Sequence, residues 1–139
     1  MNVVIDASAT LAWIFGDERH DRAWPVVESL RDCTAFAPAH YPLEVANGLL
    51  TALRSARLTP DQAATAVVAL ATIPIEIDAE TPGRIFDGMW ALAVRHRLTI
   101  YDAAYLELAI RHRLPLATLD EALALAAVAE GLALAIPRH

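Results

Sequence analysis

The stretch VVIDAS (residues 3–8) decides how the rest of the chain is arranged. Its first three residues, Val3, Val4 and Ile5, form the short β-branched run that is typical of a buried strand. Apolar residues resume directly after it and predict a helix over 8–16. Asp6 therefore lies between a buried strand and a helix, where an unpaired carboxylate charge is costly. Its position calls for a group that compensates this charge.

The composition predicts one soluble domain spanning residues 1–139. No apolar run reaches the roughly 18–20 residues of a membrane span, and no basic segment precedes the N-terminal apolar stretch as in a signal peptide. We therefore expect a cytoplasmic protein without membrane association. The hydrophobic fraction of 56% is high. It predicts either a surface buried against another chain or simply an alanine-rich helical domain.

Charge and residue types exclude several functions. The net charge of −6 disfavours a protein that holds nucleic acid on a broad basic face, but it allows a nuclease built from carboxylates and metal ions. All 11 basic residues are arginine. A Walker A ATPase and a Schiff-base enzyme each need lysine, so both are excluded. The single cysteine excludes an intrachain disulfide framework.

Apolar runs and turn residues predict strands that alternate with helices. The predicted strands cover residues 2–6, 34–38, 75–77, 98–102, 115–120 and 132–136. The predicted helices cover 8–16, 18–31, 42–56, 60–72, 82–97, 103–113 and 121–129. Thr59 and Gln62 form a capping box before the fourth of these helices. The alternation predicts an α/β domain in which helices cover both faces of a parallel sheet.

A short repeat, LAVRHRL (92–98) and LAIRHRL (108–114), allows two interpretations. Its Arg-His-Arg triplets could clamp RNA. Alternatively, each triplet ends a helix, where cations interact favourably with the helix dipole. We favour the second interpretation, because a helix that leads into a parallel strand ends at the N-terminal edge of the sheet, whereas ligands bind at the C-terminal edge.

Acidic residues occur where the chain should emerge at that C-terminal edge. Asp6 and Asp120 come directly after predicted strands. Asp102 opens a helix, and Glu44 lies in the first turn of the helix that follows the second strand. Each has a structural alternative: Asp102 and Asp120 could cap helices, and Glu44 could complement a helix dipole. Their convergence on one edge favours a common site.

Carboxylates held close together raise one another's pKa unless a cation lies between them. Oxygen ligands with room for water suit Mg²⁺ or Mn²⁺, and such an ion can activate water and stabilise charge on a phosphodiester. The sequence therefore predicts a divalent metal site. Ser8, Asn47 and Thr118 lie beside the acids and could orient them by hydrogen bonds. Local capping is an equally good account of Ser8 and Thr118.

The fragments that carry these acids resemble those of a known family. They are VVIDAS, APAHYPLEVANGLL (37–50), LTIYDAAYLELA (98–109) and PLATLD (115–120). Together they resemble the PIN domain, and specifically the VapC-type toxins of toxin–antitoxin pairs, over nearly the whole chain and in the expected order. The resemblance implies a parallel five-stranded sheet of order 3-2-1-4-5 flanked by helices, and it allows a loop in place of the strand predicted at 98–101.

The resemblance also implies an activity and partners. It implies an endoribonuclease that depends on Mg²⁺ or Mn²⁺, with Asp6, Glu44, Asp102 and Asp120 as catalytic acids. Of these, Asp6 and Asp102 would be the most direct metal ligands. It further implies a homodimer and inhibition by a VapB-type antitoxin, which lays an apolar segment on the toxin and places a polar residue, often arginine, at the acids. Several apolar residues on the first helices could accept such a segment, namely Trp13, Phe15, Trp24, Leu49 and Leu53.

Two other classes of protein share part of this pattern. A phosphotransfer protein of the haloacid dehalogenase or receiver type also has an aspartate after its first strand, but it uses a lysine, which this chain lacks. The dehalogenase type also needs a second aspartate where Ser8 stands. A non-catalytic PIN-like binding module is the other alternative, and the complete set of acids disfavours it.

Overall fold

The structure is a computed structural model that describes residues 2–16 and 18–138, apart from the side chain of Glu18. Its strands are β1 (Val3–Ile5), β2 (Ala35–Ala37), β3 (Ile75–Ile77) and β4 (Leu116–Ala117). Its helices are α1 (Ala7–Phe15), α2 (Glu18–Ser29), α3 (Tyr41–Arg54), α4 (Pro60–Leu70), α5 (Thr81–Arg84), α6 (Trp90–His96), α7 (Ile100–His112) and α8 (Glu121–Ala129). One turn of π-helix, Ile85–Met89, joins α5 to α6.

The strand β1 lies inside a parallel sheet whose strands have the order β3-β2-β1-β4. Val4 pairs with Phe36 of β2 on one side and with Leu116 of β4 on the other. All residues of β1 are buried, as expected for a parallel sheet flanked by helices. The α/β class and the order of these strands are therefore confirmed. Because the strands run in one direction, the residues that follow β1 and β4 emerge at the same edge of the sheet.

The strand predicted over 132–136 is wrong. This segment makes one isolated bridge, between Leu134 and Leu116. The Leu116 N–H donates to the carbonyl of Ala133 at 3.1 Å, and the Ala135 N–H donates to the carbonyl of Leu116 at 2.9 Å. The strand β4 has only 2 residues, so its edge is too short for a longer ladder. The described sheet consequently has 4 strands where the resemblance implied five.

The strand predicted over 98–102 is also wrong, because α7 begins at Ile100. Thr99 takes an extended backbone conformation, and its side chain accepts a hydrogen bond from the N–H of Asp102 at 3.1 Å. This N-cap satisfies a backbone donor that would otherwise lack a partner, so the helix starts three residues before the predicted start at 103. The loop that the resemblance allowed is therefore only 98–99.

The single helix predicted over 82–97 is broken in two. Phe86 and Asp87 have non-helical backbone angles inside the turn of π-helix that separates α5 from α6. Gly83 and Gly88 flank this break, and glycine weakens a helix interior. Gly88 also lies against α7, where an added Cβ would be 3.4 Å from a side-chain carbon of Glu107. The capping box predicted at the start of α4 is confirmed.

The two Arg-His-Arg triplets end helices, as predicted. The helix α6 ends at His96 and α7 at His112, and the following residues, Arg97 and Arg113, both adopt a left-handed backbone conformation with φ of 54°. His96 Nε2 lies 2.7 Å from a carboxylate oxygen of Glu130, at the C-terminal end of α8. This contact joins the C-terminal ends of α6 and α8.

The core lies between the sheet and the helices, and α7 contributes most to it. Residues 103–109 of α7 are all buried, which holds Asp102 at the N-terminal end of the helix in a defined place. Close packing does the same for α3. A side chain at Gly48 would bring its Cβ within 2.3 Å of Leu11 in α1, so the glycine lets α3 approach α1 closely. Glu44, one turn earlier on α3, is thereby brought to the same edge as α1.

The apolar residues proposed to accept a partner differ in exposure. Leu49 is buried in a small cluster with Ala52, Leu58 and Ala66 and does not contribute an open surface. Trp24 is exposed, whereas Trp13, Phe15 and Leu53 are half-buried. Among the described residues, no helix combines the length and the apolar character that crossing a membrane requires.

Candidate metal centre

Asp6 is buried at the point where β1 becomes α1, with 4% of its surface exposed. Its Oδ1 accepts hydrogen bonds from the N–H of Ala9 at 3.0 Å and from the hydroxyl of Ser8 at 2.7 Å. Its Oδ2 accepts one from the hydroxyl of Thr118. Asp6 is therefore the N-cap of α1 and also the centre of a polar cluster. These bonds compensate part of the charge that the sequence placed among apolar residues.

Ser8 and Thr118 connect the two strand ends. The Ser8 hydroxyl also accepts a hydrogen bond from the N–H of Leu119 at 3.0 Å, and the Thr118 hydroxyl accepts one from the N–H of Asp120 at 3.0 Å. Both side chains thus contact Asp6 and the chain that follows β4. Thr118 accepts from a backbone N–H two residues away, as a local cap does, whereas the backbone donor to Ser8 lies 111 residues away. Local capping therefore accounts in part for Thr118 and not for Ser8, and both hydroxyls donate to the Asp6 carboxylate.

Asp120 and Asp102 stand at the starts of two helices. Asp120 is the N-cap of α8, and its Oδ1 accepts from the N–H of Leu123 at 2.9 Å. Asp102 lies in the first turn of α7, whose N-cap is Thr99. The capping alternative therefore holds for Asp120 and fails for Asp102. The positive ends of both helix dipoles favour carboxylates at these places.

Glu44 is held by two side chains that sequence reasoning missed. His40 Nε2 lies 2.9 Å from its Oε1, and the hydroxyl of Tyr105 donates to the same oxygen at 2.8 Å. His40 Nε2 also lies 3.1 Å from the carbonyl of Tyr101. Both neighbours of Nε2 are acceptors, so this nitrogen carries the hydrogen. The spacing of His40 and Glu44, four residues apart at the start of a helix, was the available sequence signal.

Asn47 does not join the acids. It is exposed on α3, and within the described residues it makes no hydrogen bond to Asp6, Glu44, Asp102 or Asp120. Its predicted role in orienting them has no contact to support it.

The acids lie close enough to affect one another electrostatically. Burial raises the pKa of Asp102, and the negative charges of Asp120 and Glu44 raise it further. Burial raises the pKa of Asp6 to about 6, and the charge of Asp102 adds to this while the hydrogen bonds oppose it. Burial also acts to raise the pKa of Glu44, but the hydrogen bonds from His40 and Tyr105 outweigh it, so that pKa is lowered.

The donor set suits a hard divalent cation. The acids present only carboxylate oxygens, and their mutual repulsion is the conflict that such a cation relieves. Within the described residues, no three of these acids bring oxygens within 4.8 Å of one another. An ion held by them would therefore keep several water ligands, as Mg²⁺ commonly does.

A tighter group of ligand-type side chains lies elsewhere, and it is Asp78, Glu80 and His112. Here the cation is already supplied by the protein. The guanidinium of Arg111 donates to Asp78 Oδ2 at 2.6 Å and to Glu80 Oε2 at 2.9 Å. This group is therefore an ion-pair network, and the acids around Asp6 are the group that suits a metal ion.

Replacing Asp6 by Asn is expected to stabilise the metal-free protein near neutral pH. Between the ordinary aspartate pKa of 3.8 and the folded value of about 6, the folded state binds more protons than the unfolded state. Stability therefore falls as the pH rises through this window. Asn removes that loss, so its free energy of unfolding should exceed that of the wild type by about 1–3 kcal/mol at about pH 8 and by little at about pH 4.

Urea denaturation with EDTA at both pH values measures this difference. Equal destabilisation of Asp6→Asn at both pH values would show that the hydrogen bonds of Ser8 and Thr118, and not the buried charge, dominate the energetics of Asp6.

Comparison with known proteins places this chain in a family. The family model of the PIN domain matches residues 3–130. The ribonuclease VapC3 of Pyrobaculum aerophilum is 33% identical over 124 residues, which are 89% of this chain and 93% of that protein. The chain therefore belongs to the PIN domain family, as its sequence motifs predicted.

Solved structures share the fold. VapC20 of Mycobacterium tuberculosis, a toxin that cleaves the sarcin–ricin loop, gives a TM-score of 0.65 at 20% identity, covering 97% of this chain and 99% of that one. VapBC2 of Rickettsia felis, bound to a DNA fragment from its promoter, gives a TM-score of 0.63 at 16% identity, covering 96% of this chain and 97% of that one. The parallel sheet flanked by helices is thus a PIN-like α/β fold.

Proposed function

We propose that this chain is an endoribonuclease that depends on Mg²⁺ or Mn²⁺ and acts as the toxin of a VapBC-type pair. The observation that carries the proposal is the electrostatic coupling of four acids, Asp6, Glu44, Asp102 and Asp120, at the edge of the sheet where β1 and β4 end. The similar Pyrobaculum protein is a ribonuclease by name, which supports RNA as the substrate. A non-catalytic binding module would have no need for this arrangement of repelling charges.

The cation would be held by Asp6 and Asp102, with Glu44 and Asp120 near. When bound, it supplies an activated water and stabilises negative charge on the phosphodiester. Ser8 and Thr118 fix the orientation of the Asp6 carboxylate through their hydrogen bonds. Because these hydroxyls donate to the carboxylate, they favour the ionised form that a metal requires.

The side chains around Glu44 anchor its carboxylate and keep it ionised, which suits it to bind a cation. His40 and Tyr105 both bind Oε1, which leaves Oε2 without a hydrogen bond within the described residues. These bonds lower the pKa of Glu44, so its carboxylate is ionised at neutral pH. One oxygen therefore anchors the side chain, and the other can take a cation or a water molecule.

We further propose an antitoxin of the VapB type as the partner, with the toxin itself a homodimer in the cytoplasm. Two open cavities, of about 400 and 520 Å³, share Trp13 in their lining and combine apolar with polar side chains, as binding of an amphipathic segment requires. Trp24 lines the first of them and Phe15 the second. The likeness to VapBC2 of Rickettsia felis, whose name joins a VapB to a VapC, supports this proposal. An arginine of the antitoxin would match the carboxylate of Glu44 or Asp6 in charge and geometry.

Expression of this chain alone is expected to arrest growth of a bacterial host, and co-expression of the adjacent antitoxin gene is expected to restore it. The toxic effect should require the acids, so Asp6→Asn is the matched control and should be harmless. Sequencing RNA ends after induction should show new cleavage sites with the wild type alone. Harmless wild-type expression despite RNase activity in vitro would contradict the toxin proposal and leave the nuclease proposal standing.

A further inference from the structure

An apolar cavity of about 230 Å³ lies directly beside Glu44 and plays no part in the metal centre. Its walls come from the chain after β2, from the turn of π-helix and from the start of α7. The main lining residues are His40, Pro82, Ile85, Met89, Ile100 and Tyr101. Since an apolar cavity of about 150 Å³ already holds a benzene ring, this one can take a single heterocycle.

The cavity adjoins the acids from two directions. His40 in its wall lies 2.9 Å from Glu44, and Tyr101 is the residue before Asp102. A group bound in the cavity would therefore be separated from the proposed phosphodiester site by a single side chain. No arginine among the described residues lines the cavity, so it suits an uncharged group and not a second phosphate.

The aromatic rings at the mouth of the cavity are held in place. The rings of His40 and Tyr101 lie 5.6 Å apart at an angle of 55°, and His40 packs edge-on against Tyr105 at 5.2 Å. The hydrogen bond from His40 Nε2 to the carbonyl of Tyr101 fixes this pair further. Tyr101 is nevertheless 58% exposed. A large aromatic side chain that is exposed beside the His40 ring offers a stacking surface.

We propose that this cavity binds a nucleobase of the RNA substrate, next to the scissile phosphate, by stacking on Tyr101 and His40. The proposal rests on the proposed ribonuclease function and names a subsite of it. The apolar lining offers few groups that could read a base edge, so the subsite accepts different bases. Stacking of this kind depends little on the RNA sequence, because every base has a π-face.

Binding of a short fluorescent single-stranded RNA, followed by anisotropy in the presence of Mg²⁺, tests the proposal in the Asp6→Asn background. Adding Tyr101→Ala is expected to weaken binding by about 5- to 100-fold, the range of one base–aromatic stack. Tyr101→Phe keeps the stack and should keep the affinity. Phe86→Ala is the matched control, because Phe86 is an exposed aromatic residue outside the cavity lining.

Two further readouts separate stacking from other roles of Tyr101. The loss on Tyr101→Ala should vanish with an oligomer of the same ribose-phosphate backbone that lacks bases. The slope of log affinity against log salt should not change, because no phosphate contact is removed. Circular dichroism should show the native fold, since Tyr101 is exposed.

Three results would overturn the proposal. They are unchanged RNA affinity in Tyr101→Ala, an equal loss with the base-free oligomer, and a loss that affects only binding of the antitoxin, which would assign the cavity to a protein side chain. A wild-type protein that cleaves no RNA, combined with Tyr101-dependent RNA binding, would instead overturn the nuclease function and support the subsite.

Discussion

Replacing Asp6 by Asn is expected to reduce RNA cleavage by at least about 100-fold, and excess EDTA should reduce wild-type cleavage to background. The substitution preserves the shape of the side chain and removes the charge of the most buried acid in the site. It leaves the neighbouring acids with one charge fewer to hold the cation. Cleavage of labelled RNA with Mg²⁺ or Mn²⁺ measures the effect.

Asp61→Asn is the matched control for this experiment. Asp61 is an exposed acid in the first turn of α4, so its replacement makes the same chemical change at a helix start outside the site. Its cleavage rate should equal that of the wild type. Cleavage at the wild-type rate by purified Asp6→Asn, or by the wild type in EDTA, would refute the metal-dependent nuclease.

The same substitution should have opposite effects on activity and on stability. Asp6 is buried, and its raised pKa means that the ionised form destabilises the metal-free fold at neutral pH. Asn relieves this destabilisation and loses the metal ligand. A protein that becomes inactive and more stable at once would indicate that the carboxylate is retained for its chemistry.

Arg111→Met is expected to lower the free energy of unfolding by about 3–5 kcal/mol at neutral pH. The Arg111 side chain is only 13% exposed, and it binds Glu107 at 2.8 Å and Asp78 at 2.6 Å. Those carboxylates are 8% and 9% exposed. Without the guanidinium they would be buried charges with no cation between them, which is the costly way to break a buried ion pair.

The pH dependence of this loss has a defined sign. Burial acts to raise the pKa of Asp78, but the hydrogen bonds and the charge of Arg111 outweigh it, so that pKa is lowered. A lowered carboxyl pKa contributes stability above the unfolded pKa, and this contribution is lost as the pH falls. The difference between wild type and Arg111→Met should therefore shrink only below about pH 4, as the pH falls towards the lowered pKa of Asp78.

Arg84→Met is the matched control for Arg111→Met. Arg84 pairs with Glu80 at 3.1 Å, but the two side chains are 39% and 58% exposed, so its removal should change stability by less than about 1 kcal/mol. Urea denaturation of the three proteins measures both effects. Similar stability of the wild type and Arg111→Met would show that Glu107 and Asp78 find water or other donors when the arginine is absent.

Much of the sheet could be predicted because its signals are local. The apolar run of β1 and the capping box before α4 each act over a few neighbouring residues. The end of α6, within an Arg-His-Arg triplet, is likewise indicated by neighbouring residues. The break in the helix over 82–97 was missed because its glycines reduce helix propensity only slightly, and contact between Gly88 and α7 is needed to locate it. The prediction of a strand at 132–136 was wrong for a similar reason, because its pairing depends on the length of the neighbouring strand, β4.

The candidate acids, and Ser8 and Thr118 beside Asp6, were predicted from their places in the sequence, whereas the side chains that hold Glu44 were not. Asp6, Glu44, Asp102 and Asp120 each follow an apolar segment at one edge of the sheet, which can be read along the chain. Tyr105, however, reaches Glu44 across 61 residues of sequence. No local pattern indicates such pairs.

The sequence by itself determined the α/β fold class, because hydrophobic periodicity and helix capping are short-range effects. The order of the strands was implied by the resemblance to the PIN domain, and the four acids were predicted from their places after apolar segments. Only the tertiary structure decided which oxygen of Glu44 is anchored, which acids perturb one another, and that Arg111 neutralises a second acidic group. Hydrogen bonds and charge interactions depend on distances of a few ångströms between side chains. The packing of α3, α7 and β4 sets those distances.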